Sequence, residues 1–383
     1  MSALPALSGG SQSWRPELRS KAQDLIRDFE EAEPAALARA VELEARKRQS
    51  AFMSGVAAYT RHPREPRMPE PSVVWQSGAA RLLDFGDVNS NGGQGRPVLA
   101  VPSLINRAYI LDLAEKRSLM RALAAAGLRP LLLDWGTPGD AERGHSLTDA
   151  ITGTLQDALD KVHEICGETP ALVGYCMGGL LTLALAARNP GHISALALLA
   201  TPWDFHADSA GPIRFLNAMR PGLEMCLGRI GELPVDVLQA MFASLNPYMT
   251  TDKFRRFADM APGSQAARDF VAVEDWLNDG VPLAAPIARE CLFEWYLENA
   301  PARGAWKIDG DPVRPQDVNV PALVVIPKGD TIVPPASADA LAQALSNAKS
   351  MSLSGGHIGM MVGRRAPSQL YGPLADWLKD TAV

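Results

Sequence analysis

Apolar and polar positions change rhythm several times along the chain. Leu18, Ala22, Leu25, Ile26 and Phe29 recur at helical spacing, and Pro34 opens a second such segment through Leu37, Ala38, Val41 and Ala45. Both predict amphipathic helices packed on the flank of a domain. Residues 1–13 are small and polar and read as a frayed end. The stretch Arg61–Pro71 holds prolines at 63, 66, 69 and 71, too many for helix or strand, and predicts an extended linker. Between residues 73 and 202 short apolar runs alternate with helical periods. Val73–Gln76 and Ala80–Phe85 predict two tightly joined strands, and Pro97–Val101, Pro130–Asp134, Pro170–Gly174 and Ile193–Ala200 predict four more. Helices are expected over about Leu111–Ala126 and Leu147–Ile165. Such alternation implies a mostly parallel sheet with helices on both faces and ligands at the carboxyl ends of its strands.

From Trp203 to Val320 the rhythm stops, and irregular helical pieces with aromatics and prolines predict a lid inserted after the sixth strand. It resumes with the strand Pro321–Pro327, a helix near Ser337–Leu345, a strand near Met351–Leu353 and a last helix ending near Trp377. The expected organisation is an N-terminal helical segment and linker (1–70), a first core part (71–202), a lid or cap (203–320) and a last core part (321–383).

A length of 383 residues, 47% of them hydrophobic, supports one decorated α/β domain or two small ones. The formal net charge of -6, with scattered Lys and Arg, argues against nucleic acid as the main partner. Cys166, Cys176, Cys226 and Cys291 are widely spaced without a CxxC pair, which suggests neither a disulfide framework nor a zinc site and fits a reducing cytoplasm. No apolar run of about eighteen residues and no signal layout is seen, so no transmembrane segment is expected.

The candidate chemistry centres on Gly174-Tyr175-Cys176-Met177-Gly178-Gly179, between an apolar strand and an apolar helix. This is the nucleophile-elbow pattern with cysteine in the serine place: glycines two before and two after permit the sharp turn and the close strand-to-helix approach. The helix N-terminus behind Cys176 favours a thiolate. The bland alternative is a small buried hydrophobe at a turn. A base and an orienting acid are then required. Of His62, His145, His163, His192, His206 and His357, only His357 has the right address, after the last strand in Gly355-Gly356-His357. Asp330 follows the seventh strand in Lys328-Gly329-Asp330 and ranks ahead of Asp204, which follows the sixth. The order Cys176, Asp330, His357 is that of α/β-hydrolases, and this is the expected fold. For an oxyanion hole the backbone N–H groups of Met177 and of Ile105, with Leu104 beside it, are the candidates.

Val101–Leu113, Asp134-Trp135-Gly136-Thr137-Pro138, Gly174–Gly179 and Gly355–Gly359 together resemble polyhydroxyalkanoate synthases, especially the short class III catalytic subunits. The resemblance runs from about residue 75 to the C-terminus. It implies polymerisation of (R)-3-hydroxyacyl-CoA into polyester with release of CoA, Cys176 carrying the acyl chain, His357 as base and Asp330 as its helper, with acyl-CoA as substrate and no cofactor. It also implies a homodimer, a second, non-catalytic subunit and a cytoplasmic protein at polyester granules. The chain departs from the family at Thr331, where a histidine often stands, and in its first 70 residues. A CoA thioester exchanges with an enzyme thioester at nearly balanced energy, so a cysteine loads and unloads without a deep trap. Chain growth then requires a dry site. The triad alone does not choose between alcohol and water, so a thioesterase or intracellular polyester depolymerase is the alternative reading. A granule scaffold with little turnover is a third.

Overall fold

The computed structural model describes residues 18–89, 95–208 and 210–381. The expected frayed end, residues 1–13, lies outside them. The chain divides into two compact units. The smaller consists of the chain up to Pro63 with Tyr248–Arg268; the larger consists of Arg64–Pro247 and Asp269–Val383.

In the smaller unit, α1 (Arg19–Glu31) precedes α2 (Pro34–Arg61), which is longer than the apolar period over Leu37–Ala45 predicts. Glu33 caps α2 by accepting from the N–H groups of Ala35 and Ala36, and Pro34 sits where a helix needs no donor. The helix Met249–Ala258 lies directly against α2. Phe254 packs edge-on to Phe52 and Tyr59, with centroids 6.1 and 5.6 Å apart. Gly55 permits this approach: a Cβ there would stand 1.9 Å from the Phe254 carbonyl oxygen.

The larger unit is built on an eight-stranded sheet. Its strands are β1 (Ser72–Ser77), β2 (Ala80–Asp84), β3 (Arg96–Val101), β4 (Leu128–Asp134), β5 (Ala171–Tyr175), β6 (Ala195–Leu199), β7 (Ala322–Pro327) and β8 (Ala348–Leu353). They lie in the order β1-β2-β4-β3-β5-β6-β7-β8. β2 pairs antiparallel with β1 and β4, and every other pairing is parallel. The inner strands read as unbroken apolar runs because both faces are covered. Leu99, Val101, Leu172, Leu198 and Val324 turn toward one layer, and Val98, Ala100, Val173, Leu199 and Val325 toward the other. Helices α4 (Gln156–Cys166), α5 (Met177–Arg188) and α6 (Pro335–Ala344) contribute to the first layer; α3 (Leu119–Ala125) and α7 (Gly372–Asp380) contribute to the second. Each leucine buried as fully as Leu99 or Leu198 stabilises the sheet by about 2 kcal/mol.

One predicted helix is shorter than its apolar period. Instead of starting at Leu111, the chain forms a small hairpin, Asp112–Ala114 with Arg117–Ser118, and α3 begins at Leu119. Polar side chains decide this. The Arg121 guanidinium forks onto Asp112 at 2.8 and 3.1 Å, and Ser118 Oγ caps the helix by accepting from Arg121 N at 2.9 Å. Between β6 and β7 the larger unit carries the helices Ala210–Ile230, Val235–Leu245 and Ala285–Arg289 and a π-helical stretch, Glu290–Leu297. Two-residue strand pairs, Glu232–Leu233 with Leu283–Ala284 and Lys307–Ile308 with Asp311–Pro312, also lie there. Residues 63–71 are without helix or strand, and within them Arg64 forks onto Asp275 at 3.0 and 3.1 Å.

Candidate active site

Cys176 occupies the single residue between β5 and α5. Its backbone lies at φ 56° and ψ −124°, a conformation costly for any residue bearing a Cβ. The surroundings hold it there: Cys176 N–H donates to the Leu199 carbonyl of β6 at 2.8 Å. The neighbouring glycines are a steric requirement. A Cβ on Gly178 would meet the Val101 carbonyl oxygen at 2.1 Å, and one on Gly179 would meet Thr201 Oγ1 at 1.9 Å. A Cβ on Gly174 would lie 2.5 Å from the Gly179 Cα. The elbow is therefore pressed against β3, its following loop and the end of β6, with no room for side chains.

The turns after β7 and β8 are joined to each other. Lys328 N–H donates to the Leu353 carbonyl at 2.9 Å and Gly329 N–H to the Gly355 carbonyl at 2.8 Å, so the parallel ladder continues past both strand ends. Gly355, at φ +105°, takes the turn that directs His357 back over the sheet edge. His357 Nδ1 lies 2.7 Å from Asp330 Oδ2, and both side chains are buried. The other Asp330 oxygen accepts from Ile332 N–H at 2.8 Å and Val333 N–H at 2.9 Å, fixing the carboxylate plane. The Cys176 sulfur lies within electrostatic reach of the same imidazole. The structure thus brings Cys176, His357 and Asp330 together. Asp204 is elsewhere: its Oδ1 accepts from His206 N–H at 2.9 Å and from Asn299 Nδ2 at 2.8 Å, an anchoring role for the loop after β6.

Burial by itself would lower the His357 pKa. The charge of the Cys176 sulfur and the hydrogen bond to Asp330 more than reverse it, raising the pKa to about 10. A raised pKa makes the imidazole a ready proton acceptor for a neighbouring group. Sequence reading missed Tyr175, which stacks on the His357 ring at 5.2 Å and donates its hydroxyl to the His357 carbonyl at 3.1 Å. Its only signal is its place, one residue before Cys176 at the end of a strand.

Met177 opens α5, where backbone N–H groups have no acceptor within the helix. Ile105 N–H is taken in this state by Ser103 Oγ at 3.2 Å, while its carbonyl accepts from Val281 N–H at 3.1 Å. The loop holding Ile105 and Leu104 is fixed further by Trp135 Nε1, which donates to the Pro102 carbonyl at 3.1 Å. Of the aromatics in the segment after β6, Trp203, Phe205, Trp276, Trp295 and Trp306 are buried, whereas Phe215 and Tyr248 are exposed. Among the described residues no group of three or more His, Cys, Asp or Glu side chains gathers as a metal site.

A family profile described as the alpha/beta hydrolase fold matches residues 97–363, well over half of the chain. A poly(3-hydroxyalkanoate) polymerase subunit PhaC of Synechocystis is 30% identical over 298 residues, which cover 74% of this chain and 78% of that protein. The chain belongs to the poly(3-hydroxyalkanoate) polymerases, within the α/β-hydrolase fold. A further polymerase subunit PhaC, from Allochromatium vinosum, is 29% identical over 74% of this chain and 81% of its own length. Among solved structures, the monoacylglycerol lipase of Paleococcus ferrophilus is similar in fold, with a TM-score of 0.51 at 17% identity over 79% of this chain and 99% of that one. In this polymerase-family chain the elbow cysteine, the Gly-Asp turn after β7 and the Gly-Gly-His turn after β8 all lie inside the matched residues. No helix among the described residues is long and apolar enough to cross a membrane.

Proposed function

We propose that the protein polymerises (R)-3-hydroxyacyl-CoA into polyhydroxyalkanoate, releasing CoA, through a covalent thioester on Cys176. The observation that carries this reading is the hydrogen-bonded His357–Asp330 pair within electrostatic reach of the elbow Cys176, in a chain of the polymerase family. His357 accepts the thiol proton, and the Cys176 thiolate attacks the thioester carbonyl. The developing oxyanion is met by the Met177 N–H and by an N–H of the Leu104–Ile105 stretch; for Ile105 this requires the Ser103 hydroxyl to let go. The carbon–sulfur bond to CoA breaks and CoA departs with the proton from His357, leaving the acyl group on Cys176. The hydroxyl of a second hydroxyacyl unit or of the growing chain then gives its proton to His357 and attacks the Cys176 thioester, so that an ester forms as the sulfur leaves. Asp330 stabilises the imidazolium in both half-reactions.

Residues 203–320 serve as the cap of this reading, and their portion in the larger unit keeps water from competing with the hydroxyl. Within it Asn299 donates to Asp204 and accepts from Phe205 N–H, and Val281 N–H ties it to the Ile105 carbonyl in the loop after β3. The enzyme works as a homodimer with a second, non-catalytic subunit at the polyester surface, and no cofactor is required. Purified protein given 3-hydroxybutyryl-CoA is expected to release thiol and form insoluble polyester. Thiol release with free 3-hydroxybutyrate as the sole product would replace this reading with a thioesterase or depolymerase.

A further inference from the structure

A polymerase of hydroxyacyl groups must recognise the 3-hydroxyl, because a hydroxyl left unpaired in an apolar pocket costs about 1 to 3 kcal/mol. Tyr109, Tyr175 and Tyr371 commit their hydroxyls to protein: to Asp279 at 3.1 Å, to the His357 carbonyl at 3.1 Å and to the Met361 carbonyl. The orphaned polar atoms of the interior among the described residues are Ser194 Oγ, Thr201 Oγ1, Arg255 Nε, Trp295 Nε1 and Trp306 Nε1. Thr201 is buried behind Gly179, and the two indoles face one another edge-on at 5.2 Å. Tyr296 differs. Among the described residues its hydroxyl has no hydrogen-bond partner, and in this half-buried residue it is not one of the fully enclosed atoms.

The placement of Tyr296 is determined by the loop after β6. Its ring meets Phe205 edge-on at 4.7 Å, and its carbonyl lies 3.2 Å from His206 Nε2. Asn299, three residues on, accepts from Phe205 N–H at 2.9 Å. The residue lies in the π-helical stretch Glu290–Leu297, a distortion that turns side chains away from their α-helical direction and recurs at functional sites. Burial, followed by the charges of Cys176, Cys291 and Asp330, pushes the phenol far above its ordinary pKa. The group therefore stays protonated and able to donate, and its oxygen lies within electrostatic reach of the nucleophile and of the acid.

We propose that the Tyr296 hydroxyl hydrogen-bonds the 3-hydroxyl of the acyl group delivered to Cys176, and so distinguishes 3-hydroxyacyl thioesters from plain acyl thioesters. This rests on the polymerase reading for its substrate class, but not for its test. The 3-hydroxyl is two carbons from the carbonyl under attack. A donor held against Phe205, in the loop after β6, orients that hydroxyl without occupying the thioester, and a plain acyl chain leaves the phenol unpaired.

The experiment compares single-turnover thiol release from 3-hydroxybutyryl-CoA and from butyryl-CoA in the wild-type protein and in Tyr296→Phe. The expected result is a fall of about 10- to 100-fold in the preference for the hydroxyacyl thioester, with a lower hydroxyacyl rate and a butyryl rate that does not fall. An unchanged preference, including an equal loss on both substrates, would overturn the proposal, as would a wild-type protein without preference. Product analysis of the same wild-type reactions reads the polymerase assignment separately. Free hydroxy acid in place of polyester refutes that assignment, while the preference ratio still decides the role of Tyr296.

Discussion

Replacing Cys176 by alanine is expected to abolish CoA release, by at least about 10⁴-fold, while the protein keeps its fold. The substitution retains a Cβ, so the φ of 56° is no more strained than before. It also retains the hydrogen bond from residue 176 N–H to the Leu199 carbonyl, which involves backbone alone. What disappears is the sulfur proposed to attack the thioester, along with its influence on His357. Cys176→Ser is expected to fall by about 10³-fold, because a hydroxyl gives up its proton to His357 far less readily than a thiol. The check is thiol release from 3-hydroxybutyryl-CoA alongside circular dichroism. Appreciable turnover by the alanine variant would remove Cys176 as nucleophile.

Asp330→Asn is expected to reduce turnover by about 10⁴-fold and Asp204→Asn by less than about threefold. The geometry gives the reason for the difference. Asp330 uses one oxygen to accept from Ile332 and Val333 N–H and the other to face His357 Nδ1. An asparagine has one acceptor, which the two backbone donors claim, so its NH₂ faces Nδ1. The imidazole is then driven into the tautomer with its proton on Nε2, pointing at sulfur and unable to accept from it. At residue 204 the Oδ1 that accepts from His206 N–H and Asn299 Nδ2 survives the change to asparagine. Steady-state rates of the two variants provide the comparison. A larger loss at residue 204 would move the acid to the end of β6.

The parts of the site that sequence made legible are those that follow strands. Cys176, Asp330 and His357 each stand in or just after a glycine turn at the end of an apolar run, and the strand pattern alone predicts a shared sheet edge for such turns. Other contacts around these residues depend on geometry that no local pattern announces. Tyr175 reads as one more strand aromatic until the turn after β8 carries His357 across its ring. Tyr296 lies where the 3.6-residue period is replaced by a π-helical one, so an α-helical wheel assigns its direction wrongly. The apolar spacing of Asp112–Ser118 fits a helix, while the Arg121–Asp112 fork and the Ser118 cap that set the true start are polar. The association of Met249–Ala258 with α2 joins segments far apart in sequence through Gly55 and Phe254, a contact visible only in three dimensions.

The most direct test of covalent polymerisation at Cys176 is to mix the protein with stoichiometric 3-hydroxybutyryl-CoA, quench in acid within the first turnover, and map the acylated peptide by mass. The expected adduct is a 3-hydroxybutyryl group, or a short oligomer of it, on the peptide bearing Cys176, absent from Cys176→Ala and lengthening as substrate is added. An adduct on Cys166, Cys226 or Cys291 instead, or CoA release without any adduct on Cys176 at any quench time, would contradict the account.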